Sequence, residues 1–311
     1  MRTRAIVNPA ANTRRAGRRW PLWQPKLEAI LGPLDVAFTS GPGDATKLAC
    51  RAVNEGYRRL IAAGGDGTVN EVLNGVMAAA PVAAAKTLLC PFPLGTANEL
   101  CRALGHLAGP DGTLQALAGG HTRVIDVIRA DFRDFDGRPA TRYGYLVASF
   151  GAAAMISHRT SASRWLKKLG PIAYFLMTPV VTLTYQSRQV TVGIDNAPPQ
   201  TRTLFSGLIA SAENGGGGMR LAPGAMIDDG LLDFVAFGNL GRMEALFRVL
   251  PGIRQGRHVA YSKVTTCRGR RFHFECSDEM LVDLDGETLG NLPLTVTVLE
   301  RAVRVPVSPS P

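Results

Sequence analysis

One stretch constrains this chain more than any other: Gly64-Gly65-Asp66-Gly67-Thr68-Val69-Asn70-Glu71-Val72-Leu73-Asn74-Gly75. Before it, Arg59-Leu60-Ile61-Ala62-Ala63 reads as a short buried strand; after it, Val69, Val72, Leu73 and Val76 fall at helical spacing. The glycines therefore sit between a strand end and a helix start, with Thr68 or Asn70 as the cap. Three glycines around one aspartate free the backbone for positive φ and for close approach to a ligand. Successive N–H groups there, followed by a helix N-terminus, form a concave anion site that suits phosphate. A carboxylate beside phosphates calls for a cation, so Asp66 points to nucleotide phosphates together with Mg²⁺. The plain alternative is a tight strand-to-helix turn with a capping acid.

The flanking sequence repeats the arrangement. Arg4 to Val7 reads as a strand ending at Asn8-Pro9, Val36 to Thr39 as a second, and Thr87 to Phe92 as a fourth running into Pro93-Leu94-Gly95-Thr96-Ala97-Asn98. Strands alternating with helices argue for a parallel sheet with helices on both faces. Ligands bind at the carboxyl ends of such strands, and Asn8, Thr39, Asp66 and Thr96 each follow one. The texture changes near Val124-Ile125-Asp126-Val127. Beyond it the segments are mostly strand-like (143–151, 189–194, 204–210, 231–237, 272–276 and 280–284), with helical stretches over 163–185 and 242–254. The expected fold is an α/β domain over 1–124 followed by a mainly antiparallel β domain over 125–298. Whether 299–311, with its strand candidate from Leu294 to Val307, pairs back onto the first domain stays open.

Composition removes several functions. At 46% hydrophobic and 19% charged, the 311 residues support a sizeable core and no bulk disorder. The excess of 35 Lys+Arg over 25 Asp+Glu, +10, invites nucleic acid, anionic lipid or nucleotide. No aromatic-and-basic module backs it, so nucleic acid is set aside. Cys50, Cys90, Cys101, Cys267 and Cys276 form no C-x-x-C pair, which fits a reduced cytosolic protein without a structural zinc. The start lacks an apolar leader. The longest uncharged apolar stretch, Gly170 to Gln186, contains Pro171 and Pro179 and falls short of the roughly 20 residues a spanning helix needs. There is no G-x-x-x-x-G-K-[ST] loop, and His273-Phe274-Glu275 lacks the P-C-x-x-C of a deaminase.

Asn8-Pro9, Thr39, GGDGTVNEVLNG (64–75), PLGTANEL (93–100), KKLGPIAY (167–174), NGGGGMRLAPGAMIDDGLLD (214–233) and VDLDGE (282–287) run in one order across nearly the whole chain. This ordered set resembles the diacylglycerol kinase catalytic-domain family of lipid kinases, bacterial lipid kinases included, with sphingosine and ceramide kinases more distant. GGDGT alone also occurs in NAD kinases and is similar to the phosphofructokinase loop. The resemblance implies an NAD kinase- or phosphofructokinase-like nucleotide domain, a β-rich lipid-substrate domain, and transfer of the γ-phosphoryl group of ATP to a lipid hydroxyl, that of diacylglycerol or a related lipid. It implies that Asn8, Thr39, Gly64, Gly65, Asp66, Gly67, Thr68, Val69, Asn70 and Thr96 hold ATP, with Asp66 organising Mg²⁺ and water. It further implies a structural Mg²⁺ on the Asp229 carboxylate and the carbonyls of Met226 and Leu231. Glu287 would take the hydroxyl proton, with Asp285 close by. Without the resemblance, Asp285-Gly286 reads as a hairpin-type turn. Glu99 stands where the family has Asp, which moves the carboxylate by about 1.5 Å and leaves an outer-shell bridge there open. The alternatives are a soluble NAD kinase-like or phosphofructokinase-like kinase, and a noncatalytic nucleotide- or lipid-binding relative.

A kinase of this kind is expected in the cytoplasm, visiting the inner face of the membrane to reach its lipid; a homodimer is open. Arg14, Arg15, Arg18 and Arg19 near Trp20 and Trp23, and Arg164, Trp165, Lys167 and Lys168, each combine positive charge with an interfacial aromatic. Attachment through them would be electrostatic and weakened by salt. Each cluster also reads as a solvated helix face with a buried tryptophan.

Overall fold

The structure, a computed structural model, describes residues 1–106, 108–162 and 171–308. The first half of KKLGPIAY (167–170) and the whole Arg164, Trp165, Lys167, Lys168 cluster lie outside the described residues. The chain divides into two compact units, Met1–Ile125 with Arg301–Pro311, and Asp126–Glu300.

In the first unit, β1 (Thr3–Val7), β2 (Asp35–Phe38), β3 (Arg59–Gly64) and β4 (Leu88–Pro93) form a parallel sheet in the order β4-β3-β1-β2. The far end of the last strand of the chain adds in parallel beside β4, pairing Arg304 with Leu88. All of β4, and all of β3 but its first residue, is buried, as a sheet covered on both faces requires. On one face, Ala5, Val7, Ile61, Ala63, Cys90 and Phe92 pack under α1 (Ala11–Leu31) and α6 (Pro110–Gly119). Trp20 and Trp23 stand edge-on to Phe92, at 6.2 and 5.9 Å between ring centroids. Both tryptophans are therefore core anchors and not membrane-facing aromatics, while Arg14, Arg15, Arg18 and Arg19 stay exposed. On the other face lie α2 (Asp44–Asn54) and α3 (Asp66–Ala78), packed on each other. The returning C-terminal strand is fastened by His106, whose Nε2 donates to the Pro306 carbonyl at 2.9 Å while Nδ1 faces the Thr113 hydroxyl at 3.2 Å. Burial holds that imidazole below its usual pKa, so it is the neutral ring that makes the tie. Because β1 has β2 on one side and β3 on the other, the winding reverses beside β1. The crevice at the carboxyl ends of β1 and β3 is thus a topological switch point, where sheets of this kind bind ligands.

The second unit is mainly antiparallel. β7 (Val147–Gly151), β10 (Ser206–Ala210), β13 (Leu232–Phe237) and β14 (Val264–Gly269) run side by side, and β7 also pairs with β16 (Leu281–Leu284). β15 (Arg271–Glu275) pairs with β8 (Arg188–Ile194) and with β17 (Glu287–Pro306), the strand that carries the chain back to the first unit. One face buries Phe150, Phe234, Phe272 and Phe274. The other, through Leu208, Val235 and Phe237, lies under α7 (Ala152–Ala162), α8 (Pro171–Thr184) and a helical segment over 242–253.

Four local expectations change. The strand expected over 143–151 is split, since β6 (Pro139–Gly144) ends before β7 begins and the residues between them bond to Asp285. The strand expected over 204–210 breaks at Phe205, whose N–H turns to the carbonyl of Phe237. Helix α7, in Ala-Ala-Ala-Met-Ile-Ser-His-Arg-Thr-Ser-Ala, and strand β14 lack the periodicity that would have revealed them. The helix over 242–254 is present but widens to a π-turn at Ala245–Val249, ahead of Pro251, which can donate no backbone N–H.

Gly75 is where α3 touches α2. A Cβ there would meet the Thr46 carbonyl oxygen at 2.3 Å and the Ala49 Cβ at 2.6 Å. Gly75→Ala, although helix-favouring on propensity, should therefore destabilise the protein by roughly 1–3 kcal/mol through overpacking. Urea unfolding of the variant beside wild type measures this; a neutral or stabilising result would mean the two helices separate easily.

Candidate active site

The first unit brings its two glycine loops into backbone contact. Gly65 follows β3 and Gly95 follows β4; a Cβ on Gly95 would sit 2.3 Å from the Gly65 Cα. Only glycine permits that approach. Asp66, the first residue of α3, fixes the junction: its two carboxylate oxygens accept the Asn98 N–H at 2.9 Å and the Glu99 N–H at 2.6 Å. Burial pushes the Asp66 carboxyl up, against the pull of those donors. The loop over 93–98 thus ends in α5 (Glu99–Ala103), capped by an acid from the other loop. Gly64, Gly65, Asp66 and Asn98 line a small hollow there.

Asn8 joins the same rim. Its Nδ2 donates to the Thr68 hydroxyl at 3.0 Å, and its backbone N–H donates to the Ala63 carbonyl at 2.9 Å. Thr68, Val69 and Asn70 are buried in the first turns of α3, and Asn74 Nδ2 donates to the Asn70 carbonyl at 2.8 Å. Thr39 is tied to the end of β1 through its N–H and the Val7 carbonyl, and Thr96 is exposed on its loop. The residues expected to hold ATP in this unit therefore follow strand ends of one parallel sheet. A nucleotide phosphate fits them: a Cβ at Gly67 would meet nothing within 4 Å, so the backbone in the first turn of this 13-residue helix can be approached closely.

Glu99, the departure from the family pattern, is buried at the α5 N-terminus, where its backbone N–H serves Asp66. Its longer side chain is accommodated inside the unit without displacing that bond.

In the second unit, Asp285, Gly286 and Glu287 form the turn between β16 and β17. Asp285 adopts φ +51° and its carboxylate accepts three backbone N–H groups, from Tyr145 at 2.9 Å and from Leu146 and Val147 at 3.0 Å. It anchors the chain between β6 and β7 through those three donors. Glu287 is exposed, and the Arg142 guanidinium donates to its Oε2 at 2.8 Å.

Two residues escaped the reading of the sequence. Arg142 lies in β6, far from the DGE turn in the chain, and only strand pairing brings it there. Asp283 lies inside the quoted motif, where an acid among Leu281, Val282 and Leu284 was the available signal. It is buried; its Oδ1 accepts the Gly286 N–H at 3.1 Å, and its Oδ2 has no hydrogen-bond partner. Burial first, with Asp285 and Glu287 as like charges, pushes its carboxyl up to about 7.

At the turn expected to hold a structural cation, over Met226, Asp229 and Leu231, the Asp229 carboxylate accepts the Arg268 guanidinium on one oxygen and the Leu231 N–H, at 3.1 Å, on the other. Arg268 also bridges to Asp233 at 3.2 Å.

The parallel-sheet unit thus carries a doubled glycine loop, and the β-rich unit an acidic turn. Residues 2–130 match the diacylglycerol kinase catalytic domain, and residues 146–307 match the YegS C-terminal NAD kinase beta sandwich-like domain. A diacylglycerol kinase of Staphylococcus aureus (strain MRSA252) is 30% identical over 306 residues, spanning 98% of this chain and 91% of that protein. One of Staphylococcus epidermidis (strain ATCC 12228 / FDA PCI 1200) is 29% identical over 304 residues, with the same coverage of 98% and 91%. A solved diacylglycerol kinase from Bacillus anthracis str. Sterne superposes with a TM-score of 0.71 at 19% identity, over 99% of this chain and 97% of that one. An NAD kinase from Archaeoglobus fulgidus in complex with ATP gives 0.50 at 12% identity, over 98% and 94%. At such identities the two solved structures speak for the fold. The chain belongs to the diacylglycerol kinase family, and its role is that of a lipid kinase.

The Asp283 carboxyl carries a sign that can be checked. Its folded pKa lies above the ordinary carboxylate value, so between about pH 4 and 7 the folded state holds a proton that the unfolded state has lost. Stability contributed by this group therefore falls as pH rises through that window and stays low above it. Asp283→Asn should remove the fall and leave the variant more stable than wild type at pH 8, by on the order of a few kcal/mol. Urea midpoints at pH 5 and pH 8 decide it; parallel pH dependence in the two proteins would show that Asp283 is ionised throughout.

Proposed function

We propose that this chain transfers the γ-phosphoryl group of ATP, with Mg²⁺, to the hydroxyl of diacylglycerol or a closely related lipid, working at a membrane surface without crossing it. The observation that carries the reading is the junction of the two glycine loops, Gly65 against Gly95 and Asp66 across to Asn98 and Glu99, beside the N-terminus of α3. The names of the relatives support diacylglycerol as the acceptor class, and the NAD kinase of similar fold, solved with ATP, supports the nucleotide. No helix among the described residues is long and apolar enough to cross a membrane.

In this reading the α3 N-terminus and the backbone of Gly64 to Gly67 bind the phosphates, with Asn8, Thr39 and Thr96 on the surrounding strand ends. Asp66 keeps the two loops together and orients water at their junction. Asp66, through water, would help hold the Mg²⁺ that accompanies ATP, and that ion would supply charge stabilisation to the transferring phosphoryl group. Glu287 accepts the proton of the lipid hydroxyl, Arg142 orients that carboxylate, and Asp285 holds the turn that presents it.

The roles separate by measurement. Glu287→Gln should lower kcat by roughly 10²–10⁴-fold, with an unchanged melting temperature. Asp66→Ala should abolish turnover and also lose roughly 1–3 kcal/mol of stability, since two buried backbone N–H groups lose their acceptor. Phosphorylation of diacylglycerol by purified variants, with thermal unfolding of each, is the assay. Normal turnover in a folded Glu287→Gln protein would remove that residue as the base. Normal turnover in a folded Asp66→Ala protein would remove the nucleotide assignment.

A further inference from the structure

Eleven large hydrophobic side chains stand exposed among the described residues, and five of them share two neighbouring helices of the second unit. Leu176, Val180 and Leu183 lie on α8 at spacings of four and three, which places them on one helix face. Met243 and Phe247 lie four apart on the segment over 242–253. Their exposures run from 41% at Leu183 to 64% at Phe247, so these are not side chains grazing the surface.

The two faces turn the same way. Val181 from α8, and Ala245 and Val249 from the second segment, enter one core cluster with Phe205, Leu208 and Phe237. Both helices therefore cover the same side of the sheet, and the residues opposite those anchors look outward together. A soluble surface rarely gathers large apolar side chains without a partner for them.

The charge around the patch selects that partner. Arg242, Arg248, Arg254 and Arg257 are all exposed on or just beyond the second segment, and α8 carries no charged residue. The acid of the segment, Glu244, is held by the Tyr261 hydroxyl and by Lys263 at 2.8 Å; those contacts, Lys263 first, keep its carboxyl down at about 2. The rim is thus positive and the centre apolar. That is the pattern of a helix lying in a bilayer interface, with its apolar side chains at the acyl boundary and its arginines among anionic head groups.

We propose that α8 and the segment over 242–253 form a docking surface for an anionic lipid membrane. The proposal rests on the reading above that the substrate is a membrane lipid, and it moves attachment away from charge alone. The N-terminal arginines contribute charge, but Trp20 and Trp23 beside them are buried and insert nothing. Arg242, Arg248, Arg254 and Arg257 draw the protein to the surface; Leu176, Val180, Leu183, Met243 and Phe247 hold it there.

Sedimentation of the full chain with vesicles of phosphatidylcholine alone, or mixed with phosphatidylglycerol, at low and high salt, tests it. Wild type should prefer the anionic vesicles and keep part of its binding at high salt, because inserted apolar groups are not screened. The Met243→Ser, Phe247→Ser double variant should keep its melting temperature, bind anionic vesicles roughly tenfold more weakly or worse, and lose the salt-resistant part. It should phosphorylate a dispersed short-chain diacylglycerol as wild type does, while losing activity on diacylglycerol in vesicles. Wild-type binding that high salt removes completely, or a variant that binds as wild type does, overturns the proposal. A change of oligomeric state in the variant, with vesicle binding intact, also overturns it and assigns the patch to a second copy of this chain. If neither diacylglycerol form is phosphorylated by wild type while vesicle binding behaves as expected, the kinase reading fails and the docking surface stands.

Discussion

The first unit depends on one close contact, the approach of the Gly65 and Gly95 backbones. Parallel strands stand roughly 4.8 Å apart, too near for two loops with side chains to fold over one another at the same edge. The absence of a Cβ at Gly95 solves the sterics, and the Asp66 carboxylate then joins the loops by accepting two N–H groups from the second. The consequence is electrostatic as well as mechanical. An acid from the first loop accepts the N–H groups at the start of α5 and places its charge at that helix end.

The second unit repeats the device with different parts. Asp285 takes an unfavourable backbone conformation, φ +51°, and in return its carboxylate binds three consecutive N–H groups of the chain between β6 and β7. In both motifs the acid beside glycine is first a tie between distant segments. A carboxylate suits this task because it offers up to four acceptor sites to donors that a tight turn would otherwise leave unpaired.

Arg268 shows how a turn that carries two acids is balanced from within the chain. Asp229 and Asp233 stand close enough to repel, and the guanidinium between them neutralises both. A bound cation would serve the same electrostatic need, but the arginine is supplied by β14 and stays with the chain. The motif around Met226 to Leu231 looks the same in sequence whichever charge sits there.

Much of this was legible in the sequence. The alternation of strands and helices up to residue 124, the glycine loop and the ordered set of motifs determined the fold class and the family, because glycine's backbone freedom and the apolar period of an element can be read from residue type. The strands of the second unit were visible wherever apolar residues alternate; strand β14 and helix α7 were hidden because their periodicity is absent. Only the tertiary structure decided what each acid does. Asp66 and Asp285 could be read as catalytic, as capping or as turn residues until the N–H groups facing them were known, and those come from residues 32 and 140 positions away. The same holds for Asp283, whose burial depends on the strands beside it, and for Arg142, which reaches Glu287 across 145 residues. Residue type sets which interactions a side chain can make; long-range packing selects the partner, and with it the charge and the role.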